Sequence, residues 1–291
     1  MEFLSQLNPR RYRKSGYIVI GALIGLLAGT AVSTFRYMIG FILEQVVNVY
    51  SFLREQPQWI PAWILFSIVM GLILGQIVKS DPDIKGSGIP QVELQLQGKM
   101  DMKWWSVCWK KFVGGAISIG SGLLLGREGP SIQLGASVGQ GVAETLKANR
   151  VQKNVFISSG AGAGLAAAFN APIAGLMFVL EEVHHTFSPL VAVTTLTAAI
   201  VANFISLNIF GTHASLNLGN DQRFPINYYG YVVLLGIILA IFGLAYHRLT
   251  LALPTIYKKL FPKVAPYNYC IIAFMLIIPL GMWNPHVLGG G

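Results

Sequence analysis

Long, nearly uncharged segments make up most of the chain and limit what it can fold into. Of its 291 residues, 54% are hydrophobic and only 11% are charged, whereas a soluble domain carries roughly 25% charged residues. Several segments reach the ~20 residues that a membrane-spanning helix needs. They are Ile18–Phe35, Trp59–Val78, Asn154–Leu180, Thr186–Leu218, Ile226–Tyr246 and Val264–His286. The sequence therefore predicts an all-helical, polytopic protein integral to a lipid bilayer.

Clusters of basic residues predict the orientation of this protein in the membrane. Arg10, Arg11, Arg13 and Lys14 precede the first apolar segment, and a second cluster, residues 258–263, separates the last two. Positively charged loops are retained on the cytoplasmic side, so we expect a cytoplasmic N-terminus. The net charge of +9 is spread along the chain rather than gathered on one face, so no nucleic-acid partner is predicted.

Two glycine-rich motifs interrupt the apolar pattern about 40 residues apart. The first reads Gly86-Ser87-Gly88-Ile89-Pro90, and the second reads Gly126-Arg127-Glu128-Gly129-Pro130. Irregular backbone survives at membrane depth only where it lines a cavity or is buried in protein, and Gly/Pro-interrupted segments indicate a transporter's binding site. We interpret both motifs as re-entrant loops that lead into helix N-termini.

Glu128 is a lone carboxylate between apolar segments. A charge at that depth is costly and usually serves a substrate path or a proton relay. Pro130 favours a helix start, and a helix N-terminus attracts anions. Ionised Glu128 would compete with a soluble anion for that terminus, whereas protonated Glu128 would release it. The alternative is a structural carboxylate paired with Arg127.

The first motif and a later pair of glutamates indicate a functional role less strongly than Glu128 does. Gly86–Pro90 offers backbone N–H groups and the Ser87 hydroxyl, with no Lys or Arg in the loop and a helix expected from Pro90; an ordinary Gly-Ser turn is the alternative. Glu181 and Glu182 end an apolar segment, where two carboxylates oppose the helix dipole. A solvated surface pair is the alternative there.

Taken together, these residues resemble the CLC family of chloride channels and chloride/proton antiporters. Both motifs match the family's anion-filter signatures, and residues 164–182, G-L-A-A-A-F-N-A-P-I-A-G-L-M-F-V-L-E-E, match a further family pattern. The resemblance implies that the Ser87 hydroxyl and nearby backbone amides bind chloride, that Glu128 is the external gate, and that Glu182 is the internal proton-transfer residue. Because antiporters of the family have this second carboxylate, chloride/proton exchange is the predicted activity. A passive chloride channel is the runner-up.

The resemblance also implies a fold of two inverted repeats and a homodimer. We expect a cytoplasmic N-terminal segment (residues 1–16), a first repeat (17–218), a polar loop (219–225) and the start of a second repeat (226–291). The family's third filter motif and its anion-binding tyrosine have no counterpart here. We therefore expect a truncated product, a fragment or an interrupted reading frame, in which residues 1–291 alone neither bind nor transport chloride and part of the dimer interface is missing. The expected location is a bacterial plasma membrane.

Two other classes of protein remain as alternatives. A non-transporting membrane subunit is consistent with the missing filter motif. An intramembrane enzyme would need a nucleophile with a base or a set of metal ligands, but Ser87, His184 and His185 show no recognisable catalytic spacing. Cys108 and Cys270 show no metal-ligand spacing. We therefore predict no catalytic residue, no cofactor and no metal site.

Overall fold

A computed structural model describes residues 14–184, 186–212, 225 and 228–290. Within these ranges the chain is helical, with short 3₁₀ or π turns at several joints. The α-helices are α1 (Lys14–Glu55), α2 (Ile60–Ser80), α3 (Ile89–Leu96), α4 (Trp104–Gly120), α5 (Glu128–Thr145), α6 (Arg150–Phe169), α7 (Pro172–Phe178), α8 (Pro189–Phe210), α9 (Tyr229–Leu260) and α10 (Cys270–Trp283).

The predicted class, an all-helical polytopic membrane protein, is confirmed. In the described ranges, α1, α2, α8, α9 and the segment Pro266–Trp283 are long and apolar enough to cross a membrane. The first helix is longer than its apolar core suggested: it begins at Lys14, inside the expected N-terminal segment 1–16, and continues to Glu55. The expected polar loop 219–225 lies outside the described residues except for Pro225.

Helices α1 and α8 run in the same direction and touch through their backbones. Gly21, Gly25 and Gly29 face α8 at successive turns, and a Cβ atom on Gly29 would lie 2.6 Å from the Cα of Ala202. Four-residue spacing places the three glycines on one helix face, and small residues let backbones approach closely in a bilayer. The spacing of this glycine series by itself predicts a packing face, and the structure shows that face against α8.

Helices α5 and α6 are antiparallel, and their backbones are in contact as those of α1 and α8 are. A Cβ on Gly135 would overlap the carbonyl oxygen of Gly160, and one on Gly139 would overlap that of Phe156. The glycine-rich tract that begins at Gly160 is therefore a packing surface, as its sequence predicts. This contact positions α5, whose N-terminus carries Glu128.

The segment Asn154–Leu180 is broken between α6 and α7, as Asn170-Ala171-Pro172 in the sequence indicates, and a buried arginine holds the break. Asn170 adopts a left-handed conformation, with φ of 57°, after the last turn of α6. Arg36, 9% exposed, donates from Nη1 to Ala167 O (2.5 Å) and to Ser206 Oγ (2.8 Å). The Ser206 hydroxyl also lies 2.7 Å from Asn170 Oδ1. A cation on α1 thus satisfies a carbonyl at the C-terminal end of α6, where the helix has unpaired acceptors.

A second core joins α2, α10 and the end of α1, whereas α9 is exposed. Tyr50, Phe274 and Ile277 are buried in this core, and Arg54 donates from Nε to Met282 O at 2.8 Å. No residue of α9 is buried in the described structure.

Replacing Gly160 by Ala is expected to separate α5 from α6. The added methyl group overlaps the Gly135 carbonyl, and overpacking of this kind costs about 1–3 kcal/mol. Thermal unfolding in mild detergent should show a lower midpoint. The matched control is Gly236→Ala, because the described structure has no atom within 4 Å of a Cβ added there and alanine favours a helix by about 1 kcal/mol over glycine. Equal midpoints for both variants would contradict the proposed contact.

Candidate functional site

The first glycine motif forms a compact loop that ends at the N-terminus of α3. Gly86 and Gly88 have φ angles of +72° and +97°, which glycine adopts without steric cost. Helix α3 begins at Ile89, one residue earlier than the expected start at Pro90. The exposed Ser87 side chain accepts a hydrogen bond from Ile89 N–H at 3.3 Å, so its hydroxyl lies at the start of the helix.

Four consecutive carbonyls that lead into this loop are each bound by a side chain. They belong to residues 83–86, and the donors are Gln91 on α3, Lys111 on α4 and Gln133 on α5. The distances are 2.8 Å from Gln133 Nε2 to Asp83 O, 2.9 Å from Lys111 Nζ to Ile84 O, 2.8 Å from Gln91 Nε2 to Lys85 O, and 2.8 Å from Lys111 Nζ to Gly86 O.

These hydrogen bonds decide which charge the loop presents to a ligand. Carbonyl oxygens carry partial negative charge and repel an anion, but here they are directed toward three side-chain donors. At the start of α3, Ile89 N–H donates to the Ser87 hydroxyl and Pro90 has no N–H. A loop whose carbonyls are occupied, and which lies at the positive end of a helix dipole, favours an anion over a cation.

The second glycine motif ends at the N-terminus of α5. Helix α5 begins at Glu128, so the predicted position of this carboxylate in the first turn is confirmed. Its half-buried side chain folds back over Gly126, where a Cβ atom would collide with Oε2. Among the described residues, Glu128 forms no ion pair with Arg127. The carboxylate therefore lies over its own loop rather than in the structural pair considered as the alternative.

The structure brings the two motifs into direct contact. A Cβ atom on Gly129 would lie 2.6 Å from both Cβ and O of Ser87, and one on Gly88 would lie 2.6 Å from Cδ of Gln133. Gly129 and Gln133 are four residues apart on α5, so they face the same side of the helix. Two motifs about 40 residues apart in the chain thus form one site, where the N-termini of α3 and α5 converge.

Glu182 lies apart from this site. It is exposed, in the π turn Val179–Val183 that follows α7. In the part of the chain that is described, it makes no hydrogen bond or ion pair with either loop. Its neighbour His184 is hydrogen-bonded through Nε2 to Ser158 Oγ at 2.8 Å. The structure therefore joins the two glycine motifs but does not join Glu182 to them.

Lys111, Gln133 and Gln91 are site residues that the sequence reasoning missed. Lys111 is 4% exposed and immediately precedes an apolar run, and a charge in such a position is itself a functional signal. The two glutamines had no comparable signal. The absence of Lys and Arg from the first motif suggested a loop with neutral donors alone, but a lysine from α4 lies behind it.

Converging helix N-termini, built on interrupted helices in a bilayer protein, define an integral membrane protein of the transporter or channel class. Comparison with known proteins identifies the family within this class. The sequence profile of the family described as "Voltage gated chloride channel" matches residues 66–291. The chain belongs to this family, and the resemblance to CLC proteins is confirmed.

Several relatives are similar over most of this chain. The H(+)/Cl(-) exchange transporter ClcA of Vibrio cholerae is 30% identical, over 94% of this chain and 60% of the relative; the protein of the same name from Klebsiella pneumoniae is 29% identical with the same coverage. The chain thus spans about 60% of the length of these relatives.

The crystal structure of a slow cyanobacterial Cl-/H+ antiporter is 30% identical and superimposes with a TM-score of 0.78, over 92% of this chain and 63% of the antiporter. A CLC-type fluoride/proton antiporter is 24% identical, with a TM-score of 0.72, over 94% of this chain and 66% of that antiporter. This second likeness supports the fold alone.

Replacing Lys111 by Met is expected to destabilise the first loop. The variant leaves the carbonyls of Ile84 and Gly86 without their donor, and each unsatisfied buried group costs about 1–3 kcal/mol. Unfolding of the purified protein in detergent should show a loss of about 2 kcal/mol or more.

The neighbouring Lys110 is the matched control for this prediction. Lys110 makes a 3.3 Å hydrogen bond to Ser80 O and a 3.5 Å ion pair with Asp81. Lys110 binds no carbonyl of residues 83–86, and Asp81 keeps its hydrogen bond from Ser106 when Lys110 is replaced, so Lys110→Met should have the smaller effect. If both variants unfold alike, the carbonyl contacts of Lys111 are not important for stability.

Proposed function

We propose that this protein takes part in chloride transport across the membrane, most consistently in exchange for protons. The observation that carries the proposal is the convergence of the α3 and α5 N-termini, with Gly129 against Ser87 and the Glu128 carboxylate folded over the adjoining loop. Family membership supports the same function. Because the chain spans about 60% of its relatives' length, the proposal applies to the full-length gene product.

Chloride binding follows from the electrostatics of the two loops. Residues 86–90 and 126–130 surround the anion in this proposal, with the Ser87 hydroxyl and backbone N–H groups as donors. The positive ends of the α3 and α5 dipoles stabilise the anion without a cationic side chain in direct contact. Neutral donors hold chloride weakly enough for it to leave again, which transport requires.

Glu128 acts as the gate in this proposal. Its carboxylate belongs to the first turn of α5 and, when ionised, competes with chloride for the same positive potential. Protonation removes the negative charge, so chloride enters as the side chain leaves. In this way Glu128 couples chloride binding at the site to protonation of its own carboxylate.

Glu182 supplies protons from the cytoplasmic side in this proposal. Its exposed side chain suits a residue that collects protons, and it has no hydrogen bond or ion pair with either loop in the described structure, which suits a residue that does not touch chloride. The names of the Vibrio and Klebsiella relatives, H(+)/Cl(-) exchange transporters, support a proton-coupled mechanism. A passive chloride channel, as in the family description, is distinguished by chloride flux that moves no protons.

The proposal includes an orientation and an assembly. The N-terminus is cytoplasmic, in keeping with the basic residues that precede α1, and the membrane is a bacterial plasma membrane, as for the relatives' host organisms. The protein acts as a homodimer, as the family resemblance implies.

Glu128→Gln is expected to uncouple the two ions. The amide resembles a permanently protonated carboxyl group, so the gate no longer closes and no proton is carried. Liposomes containing the full-length gene product should show chloride flux that is independent of pH and drives no proton movement.

Glu144→Gln is the matched control for the gate. This glutamate lies on the same helix, near its C-terminal end, in an ion pair with Lys153 at 3.0 Å. Its replacement should leave coupled transport intact. Retained proton pumping by Glu128→Gln would overturn the gating role.

Glu182→Gln is expected to abolish proton movement while chloride still crosses the membrane, because the residue delivers protons and does not bind the anion. The adjacent, equally exposed Glu181 provides the control variant Glu181→Gln, which should keep the exchange coupled. Chloride flux and proton flux are measured by recording the chloride concentration and the pH of a liposome suspension simultaneously. Normal fluxes of both ions in Glu182→Gln would show that Glu182 is only a solvated surface charge.

A further inference from the structure

Gln133 contacts the chain just before the first loop and again at Gly88 within it. It is fully buried on α5, one turn beyond Gly129, which touches Ser87. Its Nε2 donates to Asp83 O at 2.8 Å, before the loop, and its Oε1 lies against Gly88, at the end of the loop. A single amide therefore spans the loop from the helix that carries the second motif.

The orientation of this amide is set by its one strong hydrogen bond. If the amide were rotated, Oε1 would face Asp83 O and two acceptors would meet. With Nε2 bound to Asp83 O, Oε1 is left buried without a hydrogen-bond partner among the described residues. Unpaired buried acceptors cost free energy, so the hydrogen bond to Asp83 O is kept together with the cost of an unpaired Oε1. Such a cost at a buried position suggests a functional reason.

We propose that Gln133 is a positioning residue that fixes the first anion-binding loop against the second. This inference rests on the proposed chloride function. Because Gln133 and Glu128 belong to the same rigid helix, the hydrogen bond to Asp83 O sets the distance between the α3 N-terminus and the gate. Bound anion is held by both termini, so its affinity depends on their separation.

Gln140 offers a close internal comparison. It lies two turns further along α5 and is 1% exposed. Its Nε2 donates to Met102 O at 2.7 Å and to Glu144 Oε1 at 2.9 Å, and its Oε1 accepts from Gln95 at 2.5 Å. These partners lie outside residues 83–90 and 126–130. Gln95 belongs to the last turn of α3, so Gln140 ties the far end of α3 to α5 but makes no hydrogen bond with either loop.

The experiment compares Gln133→Met with Gln140→Met in the purified full-length gene product. Methionine keeps the length and approximate volume of glutamine and removes the amide. Two quantities are measured in lipid nanodiscs: amide hydrogen exchange of residues 83–90 and chloride binding by calorimetry, with nitrate as the competing anion.

Gln133→Met is expected to speed exchange in residues 83–90 and to weaken chloride binding roughly tenfold, as loss of one buried hydrogen bond predicts, with a change in the chloride/nitrate preference. Gln140→Met should leave both quantities at their wild-type values even if it unfolds more easily. Equal effects of the two variants, or an unchanged loop in Gln133→Met, would overturn the positioning role.

If the proposed chloride function is wrong, the wild-type protein binds no chloride in the calorimeter. The hydrogen-exchange comparison of the two variants still decides the role of Gln133. Faster loop exchange in Gln133→Met alone would support positioning of the loop, and identical exchange in both variants would contradict it.

Discussion

The structure depends on one constraint: where a helix is interrupted inside a bilayer, the protein itself must satisfy the backbone polar groups. The first loop meets this constraint in an asymmetric way. The carbonyls of residues 83–86 are bound by Gln91, Lys111 and Gln133, while the loop itself leads into the positive end of the α3 dipole. The same hydrogen bonds that make the interruption tolerable therefore also determine the sign of charge that the loop attracts.

Close helix packing makes this arrangement possible. Glycines place α5 against α6 and α1 against α8 with backbone contacts, which leaves little room for either pair to shift. Arg36 extends the same principle to the break after α6, where it binds Ala167 O and the Ser206 hydroxyl. The Ser87 loop and the Glu128 side chain are thus carried on closely packed helices, as a binding site requires.

Much of this arrangement was predictable from local patterns. Pro130 indicated a helix start beside Glu128, the spacing of Gly21, Gly25 and Gly29 indicated a contact face, and Asn170 marked a break. Each of these signals depends on a few neighbouring residues, which is why the sequence reveals it. The start of α3 differs from the expected one by one residue, because Gly88 is the N-cap and Ile89, not Pro90, is the first helical residue.

The sequence by itself determined the helical membrane class, the two glycine motifs and the carboxylate at a helix N-terminus, since composition, periodicity and turn chemistry are local properties. Only the tertiary structure decided that the motifs touch, that Lys111 and Gln133 bind carbonyls of residues 83–86, and that Glu182 makes no hydrogen bond or ion pair with either loop in the described part of the chain. These facts depend on contacts between residues 27 and 50 positions apart. Such contacts arise when helices pack, and no local pattern in the chain encodes them.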